Sequence, residues 1–420
     1  MPRHDVLQPA PAAEAVPASV PAAAAPGAAG LRKRSIDPRT PRAINLAPGL
    51  GAEAAAARIA AFAKPFDPAL VLIFASPAAS LGPLAETLRQ RLDPSCRIAG
   101  CSSAGELIGS GYSDGGALAV IFPRAGFAVE TVSLADLGRA GVTRWMAEIA
   151  AARERLAASG RARMVGLVVA DGRSRHEDVL AATLEASLPE LPVIGGMGGN
   201  GLAFADVAVV AEGAVVRDAA ILCLLATDLP FEELVFAHFT PAGPRAVVTA
   251  ADPEAHALLE LNAEPAAAEY ARLAGLDPAR LTPHEFARHP LLLRMGGRHH
   301  VRAISGVRED GGLQLLASID VGTVLTLGRA EDLITGFAAA LAQLPARPAL
   351  LLGFDCILRR LALEQAGLGA QVASLHRRYN IHGFNTYGEL CEGMHVNQTF
   401  VGMAFLDPAA AGGGDEVPTA

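Results

Sequence analysis

Cysteine is sparse and shows no pairing pattern: Cys96, Cys101, Cys223, Cys356 and Cys391 make five, and none forms a Cys-x-x-Cys. An odd count without that spacing argues against a disulfide framework and against a zinc ribbon, and fits a reducing cytosol. No uninterrupted apolar run approaches the ~20 residues of a membrane helix. The N-terminus lacks a basic segment followed by an apolar one, so the expected protein is unexported and cytoplasmic, with no membrane span. Basic residues number 35 against 43 acidic ones, for a net charge of -8. They are scattered, which leaves a nucleic-acid partner without an electrostatic footprint. The one basic run, Arg32-Lys33-Arg34 with Arg39 and Arg42, reads as a solubilising linker. Eleven histidines include no His-x-x-x-His spacing, and the tandem His299-His300 would diverge to opposite faces of a strand.

At 420 residues and 51% hydrophobic, the chain is long enough for two or three domains and a ligand pocket. Residues 1–42 are an alanine and proline tract too poor in aromatic and β-branched residues to offset ordering entropy, and 409–420 resemble it; both are expected to be disordered tails. Between them, apolar strands alternate with helical patterns: strands at 71–74, 117–122, 164–169, 207–210 and 220–225, and helices near 81–92, 143–158 and 176–188. Past residue 230 a strand is expected at Leu234 to Phe239, then a helix at 265–274, several short strands, a helix at 330–343 and finally the Gly383 unit, with an apolar run at Leu350 to Leu352, a helical pattern through His376 and an apolar stretch from Val396 to Phe405. The expected fold class is α/β with mixed sheets, in two domains at 43–230 and 231–408.

An octapeptide echo organises this pattern. Gly100-Cys101-Ser102-Ser103-Ala104-Gly105-Glu106-Leu107 returns as Gly383-Phe384-Asn385-Thr386-Tyr387-Gly388-Glu389-Leu390. Both follow a strand and a helical pattern and precede an apolar stretch, and Val193 to Gly201 follows a third such run. The expected unit is strand, helix, strand and glycine loop, repeated, with each loop at a strand end where α/β sheets place ligands. The Gly100 loop is neither Gly-x-Gly-x-x-Gly nor a P-loop, and Ala104 stands where a nucleophile elbow at Ser102 needs glycine. Gly100, Ser102, Ser103 and Glu106, with Gly195 and Gly196 of the five-glycine run, are therefore candidates for ligand contact or for close packing. From Met394 to Phe400 polar and apolar residues alternate, which as a strand would point His395, Asn397 and Thr399 to one side. His238, on the apolar face of Leu234 and Phe236, is either a satisfied core histidine or an axial imidazole.

These motifs resemble the FIST sensory proteins of bacterial signal transduction over about residues 45–406, with a FIST N domain in the first half and a FIST C domain in the second. The carriers include Gly100 to Leu107, Asp171-Gly172, Val193 to Gly196, Glu260 to Ala266, Val301-Arg302, Gly383 to Glu389 and Asn397-Gln398-Thr399. His238 to Pro241, Asp355 to Arg360 and Gly393 to Phe400 resemble the nitric-oxide-sensing haem branch. The resemblance implies no catalysis, haem held by His238, and a partner such as a histidine kinase or a cyclic-di-GMP enzyme. Asp355, Cys356, Asn385, Tyr387, Glu389, His395, Asn397, Gln398 and Arg302 are the further ligand-binding candidates, with Cys356, His395 and the glycine loops expected at the distal side of the haem or at the domain interface. The alternative is a haem-free module that binds an amino acid-like metabolite at the Gly383 to Glu389 and Asn397-Gln398 cluster, with Glu389 or Arg302 pairing its charge. The sequence leaves a homo-oligomer open.

Overall fold

The strand Pro68–Ala75 is buried at every position, as expected of a strand covered on both faces. It pairs in parallel with Arg97–Ser102 through the helix Ala78–Arg91. The same unit recurs as Arg163–Ala170 with Val193–Met197 through the helix Glu177–Ser187. It recurs again as Pro348–Cys356 with Ile381–Thr386, now through two helices, Ile357–Gln365 and Gly369–Tyr379. Within a computed structural model of the chain, residues 37–139, 141–201, 206–295 and 297–408 are described. The expected tails lie outside these residues up to 36 and from 409. Residues 37–41 form a turn in which the Asp37 carbonyl accepts from Thr40 and Arg42.

Register fixes the equivalence of the three units. Ile73 pairs with Gly100, Val168 with Gly195 and Gly353 with Gly383. At all three glycines an added Cβ would lie 1.8 to 1.9 Å from the carbonyl oxygen of the residue paired with it, so no other residue permits this approach. An antiparallel strand flanks each unit: Ala117–Pro123, Ala219–Thr227 or Thr399–Leu406. An opening strand, Arg42–Leu46, Phe127–Ala135 or Phe231–Ala237, completes each copy.

Each copy hands a hairpin to its neighbour. Glu106–Ile108 and Gly111–Ser113 of the first copy extend the third copy's sheet. Val209–Ala211 and Ala214–Val216 of the second extend the first. Glu389–Cys391 and Met394–Val396 of the third extend the second. The result is three six-stranded mixed sheets with equivalent strand order, closed in a ring. A shared apolar core lies between them, where Phe74 of the first copy stacks on Phe384 of the third at 4.5 Å and Leu167 and Ile194 of the second join. The fold class is the expected mixed α/β one.

The third copy carries an insertion between its opening strand and the helix Leu333–Ala342. It is an eight-stranded antiparallel sheet running from Phe239–Asp252 to Val324–Ala330, with its own core around Val248, Leu258, Tyr270 and Leu325. Three local expectations change here. The strand expected at 234–239 breaks at His238, where the chain leaves the third copy's sheet for the inserted one. The alternation from Met394 to Phe400 breaks at Gln398, whose φ of 56° turns the chain from one sheet into the next. The helix expected from Ala330 starts at Leu333, because Ala330 ends a strand and the Asp332 carboxylate accepts from Ile334 N at 3.0 Å to cap the first turn. No helix among the described residues is long and apolar enough to cross a membrane.

Candidate functional site

The three glycine strands end at one point, and their loops interlock there by equivalent hydrogen bonds. Ser102 N donates to Ala208 O at 2.8 Å, Met197 N to Gly388 O at 2.8 Å and Asn385 N to Gly105 O at 2.7 Å. Two residues later Ala104 N donates to Asn385 O, Tyr387 N to Met197 O and Gly199 N to Ser102 O, at 3.0, 3.1 and 2.9 Å. Each copy thus grips the next at two positions. The Tyr387 hydroxyl adds a tie, donating to Gly201 O at 3.1 Å and accepting from Asn200 N at 2.9 Å.

Beside this ring lies a cavity of about 590 Å³ with walls from all three copies: Ser76, Ala104, Asp114 and Gly115 from the first, Asn200 and Gly201 from the second, Ile357, Arg360, Leu361 and Glu364 from the third. The volume is that of a small-molecule pocket, roughly 300 to 1,000 Å³. It sits where strands end and where the helices starting at Ala78 and Ile357 present their first turns, the side of an open sheet that binds ligands. Arg360 is its central charge. The guanidinium takes Asp114 in a fork, at 2.6 and 2.8 Å, and Glu364 through Nε at 2.7 Å. Nη1 also donates to Asn385 Oδ1 at 3.2 Å and to Ala104 O at 3.4 Å. Arg360 is 9% exposed, whereas the Asp114 and Glu364 side chains are 67% and 44% exposed. Those carboxylates are solvent-exposed, so water screens their side of the pairs.

The repeated Glu of the octapeptide is an internal group in both copies. Glu106 Oε1 accepts from Ser103 Oγ at 2.7 Å and from Ser76 Oγ at 2.9 Å. Glu389 accepts from the Thr386 hydroxyl and from Thr399 Oγ1, the latter at 2.6 Å. Burial pushes both carboxyls up, Glu389 to about 8. Gly196 packs against Thr386, where an added Cβ would meet Cγ2 at 2.3 Å. Ser102 Oγ accepts from Ala208 N at 3.0 Å. Asp355 lies inside the third copy, bonded to Arg359 at 2.8 Å and to the Tyr112 hydroxyl at 2.6 Å, and Phe236, Phe337 and Phe400 surround the Arg359 guanidinium. The Cys101 and Cys356 thiols are fully buried and pushed up by it, the reverse of an activated nucleophile.

The remaining sequence candidates gather elsewhere, where the third copy meets the inserted sheet. His238 is buried between Phe236 and Phe239, with Nδ1 unpartnered and its pKa lowered to about 3 by burial, then by the Arg359 charge. His395, Asn397, Gln398 and Arg302 are all buried. Among the described residues no three His, Cys, Asp or Glu side chains cluster as a metal site. None of the candidate site residues named from the sequence lines this cavity; Asn385 and Tyr387 reach its walls through Arg360 and through Asn200 and Gly201, and the side chains that charge it were not among the candidates. Arg360 and Glu364 stand four apart on a helix, a spacing that marks an ion pair, but Asp114 reaches Arg360 only because the first copy's hairpin crosses into the third copy's sheet.

No curated protein matches the chain in sequence. Among solved structures, a cyanuric acid hydrolase described as an evolutionary innovation by structural concatenation matches with 10% identity and a TM-score of 0.34, over 87% of this chain and 99% of that one. Residues 69–264 match the FIST N domain and residues 266–392 the FIST C domain. FIST domains are generally small-ligand sensory domains in signal transduction. With both domains present across most of its length, the chain belongs to the FIST-domain family.

Proposed function

We propose that this protein is a cytoplasmic sensor that binds an amino acid or similar zwitterion in the cavity at the junction of its three copies, without chemistry of its own. The observation that carries the reading is the cavity's charge pattern. One nearly buried guanidinium lies between two exposed carboxylates, on walls drawn from every copy. A ligand carboxylate takes the Arg360 fork, and the ligand ammonium takes Asp114 or Glu364. The exchange conserves charge and replaces solvent-screened pairs by enclosed ones. Because the occupant touches loops that also grip one another, binding favours one arrangement of the copies, which a histidine kinase or cyclic-di-GMP enzyme then reads.

The test is thermal unfolding of the full chain against the twenty amino acids. A ligand at about 100 times its Kd raises stability by roughly 2.7 kcal/mol. Arg360→Met should abolish the response. A response that survives in Arg360→Met, or none to any amino acid, overturns the reading.

One observation favours a second reading, nitric oxide sensing through haem. His238 has a neutral imidazole whose Nδ1 lacks a partner, set among aromatic rings, which suits an axial ligand. Haem bound there would supply an iron position open to a diatomic gas. Hemin titration should then give a sharp Soret band that His238→Ala removes; a band unchanged in that variant sinks this reading.

A further inference from the structure

Among the described residues, three charged side chains line the cavity: Arg360 on one side of the balance, Asp114 and Glu364 on the other. One positive and two negative groups leave the cavity one charge negative. Ser76 leads inward to a further acid, since its Oγ donates to Glu106 Oε1 at 2.9 Å. The group behind that wall is therefore not a balancing cation.

The guanidinium is seated independently of the two carboxylates. Its Nη1 donates to two neutral acceptors, Asn385 Oδ1 at 3.2 Å and Ala104 O at 3.4 Å. Gly105 makes room for it: a Cβ there would lie 2.1 Å from Arg360 Nη1 and 2.8 Å from Asp114 Oδ1, at a φ of 129° that favours glycine. Arg360 thus keeps its place when Asp114 leaves the fork, whereas Asp114 and Glu364 reach it from exposed positions and can turn to another partner.

An occupant changes this balance. A neutral zwitterion brings one cation and one anion, so the cavity stays one charge negative after water has been displaced from it, and a carboxylate that loses water without gaining a partner is costly. A second cation on the occupant removes that cost. A ligand carboxylate in the Nη1 and Nη2 fork displaces Asp114, and the α-ammonium beside that carboxylate takes Asp114 in turn. Glu364 stands at the Nε edge, four residues and so about 6 Å further along the helix, within reach of a side chain of ornithine or lysine length. Pro77, Ile357 and Leu361 give the methylenes of that side chain an apolar wall. We infer, resting on the zwitterion reading of this cavity and narrowing it, that the occupant is a basic amino acid of this kind, with its carboxylate on Arg360, its α-ammonium on Asp114 and its side-chain ammonium on Glu364.

Isothermal titration of the full chain with lysine, norleucine and cadaverine separates the three contacts. Norleucine keeps the carboxylate and the carbon chain of lysine but lacks its terminal ammonium, and cadaverine lacks the carboxylate. Lysine should bind about tenfold tighter than norleucine, and cadaverine at least about tenfold weaker than lysine. Glu364→Gln, which keeps an acceptor for Arg360 Nε, should bring lysine to within about threefold of norleucine; Glu364→Ala carries the same test if that variant does not fold. No binding of lysine, native binding of norleucine within about threefold of lysine, or a lysine preference that survives both Glu364 variants overturns the inference. If norleucine then still binds and Arg360→Met abolishes that binding, the zwitterion reading stands without it. Cadaverine binding as tightly as lysine, or no binding by any of the twenty amino acids, overturns both.

Discussion

Gly195→Ala isolates the contact on which the repeated unit depends. An alanine Cβ would lie 1.9 Å from Val168 O and 2.4 Å from Val168 Cγ1, about 1.5 Å short of the 3.4 Å at which such contacts become ordinary. The obstacle is a backbone carbonyl in the adjacent parallel strand. Strands in a ladder stand only about 4.8 Å apart, so relief requires opening the ladder itself. Overpacking relieved by side-chain shifts costs about 1 to 3 kcal/mol; here the upper end or more is expected, at least about 3 kcal/mol. That is a large part of the roughly 5 to 15 kcal/mol that holds a native fold. Gly100→Ala and Gly383→Ala meet carbonyls at 1.8 Å and should lose as much. Gly109→Ala is the control, since nothing lies within 4 Å of its added Cβ and alanine stiffens the unfolded chain by roughly 0.4 to 1 kcal/mol. Urea unfolding at constant m-value reads all four. A Gly195→Ala loss below about 1 kcal/mol, or one indistinguishable from Gly109→Ala, would refute the equivalence of the three strand pairs.

Two further outcomes follow from buried charge. The folded-state pKa of Glu389 is raised from 4.5 to about 8, so its contribution is fully present below pH 4.5 and is lost as pH rises through 8, on the order of a few kcal/mol; Glu389→Gln should flatten this decline in melting temperature between pH 5 and 8.5, and an identical decline in the variant would contradict it. Arg359→Met leaves the buried Asp355 carboxylate with the Tyr112 hydroxyl but without its cation, which should cost about 3 to 5 kcal/mol in urea unfolding; a loss under 1 kcal/mol would show that the pair is dispensable.

The strands and helices legible in the sequence were those with strong periodicity or continuous apolar runs, such as Pro68–Ala75, Val142–Ala157 and Ala219–Thr227. The octapeptide echo marked true copies, because a glycine is forced wherever the second parallel strand approaches the first. The hairpin strands at 106–113 were hidden: each is three residues long, too short for a period, and Glu106–Ile108 pairs with Ile381–Thr386, hundreds of residues away in another copy. The same exchange hid the site. Asp114 and Arg360 belong to different copies, and only the hairpin crossing brings them together. The break at Gln398 was hidden for another reason, since a positive φ at a non-glycine residue leaves no mark in a pattern of alternation.

Hydrogen exchange of the full chain, with and without the amino acid that most raises its melting temperature, tests the central claim directly. Binding at the junction should slow exchange together at the three loop ends, in Ala104 and Gly105, Gly199 to Gly201, and Asn385 to Tyr387. Protection confined to one copy, or centred on the inserted sheet, would contradict a sensor whose ligand sits where the three copies hold one another.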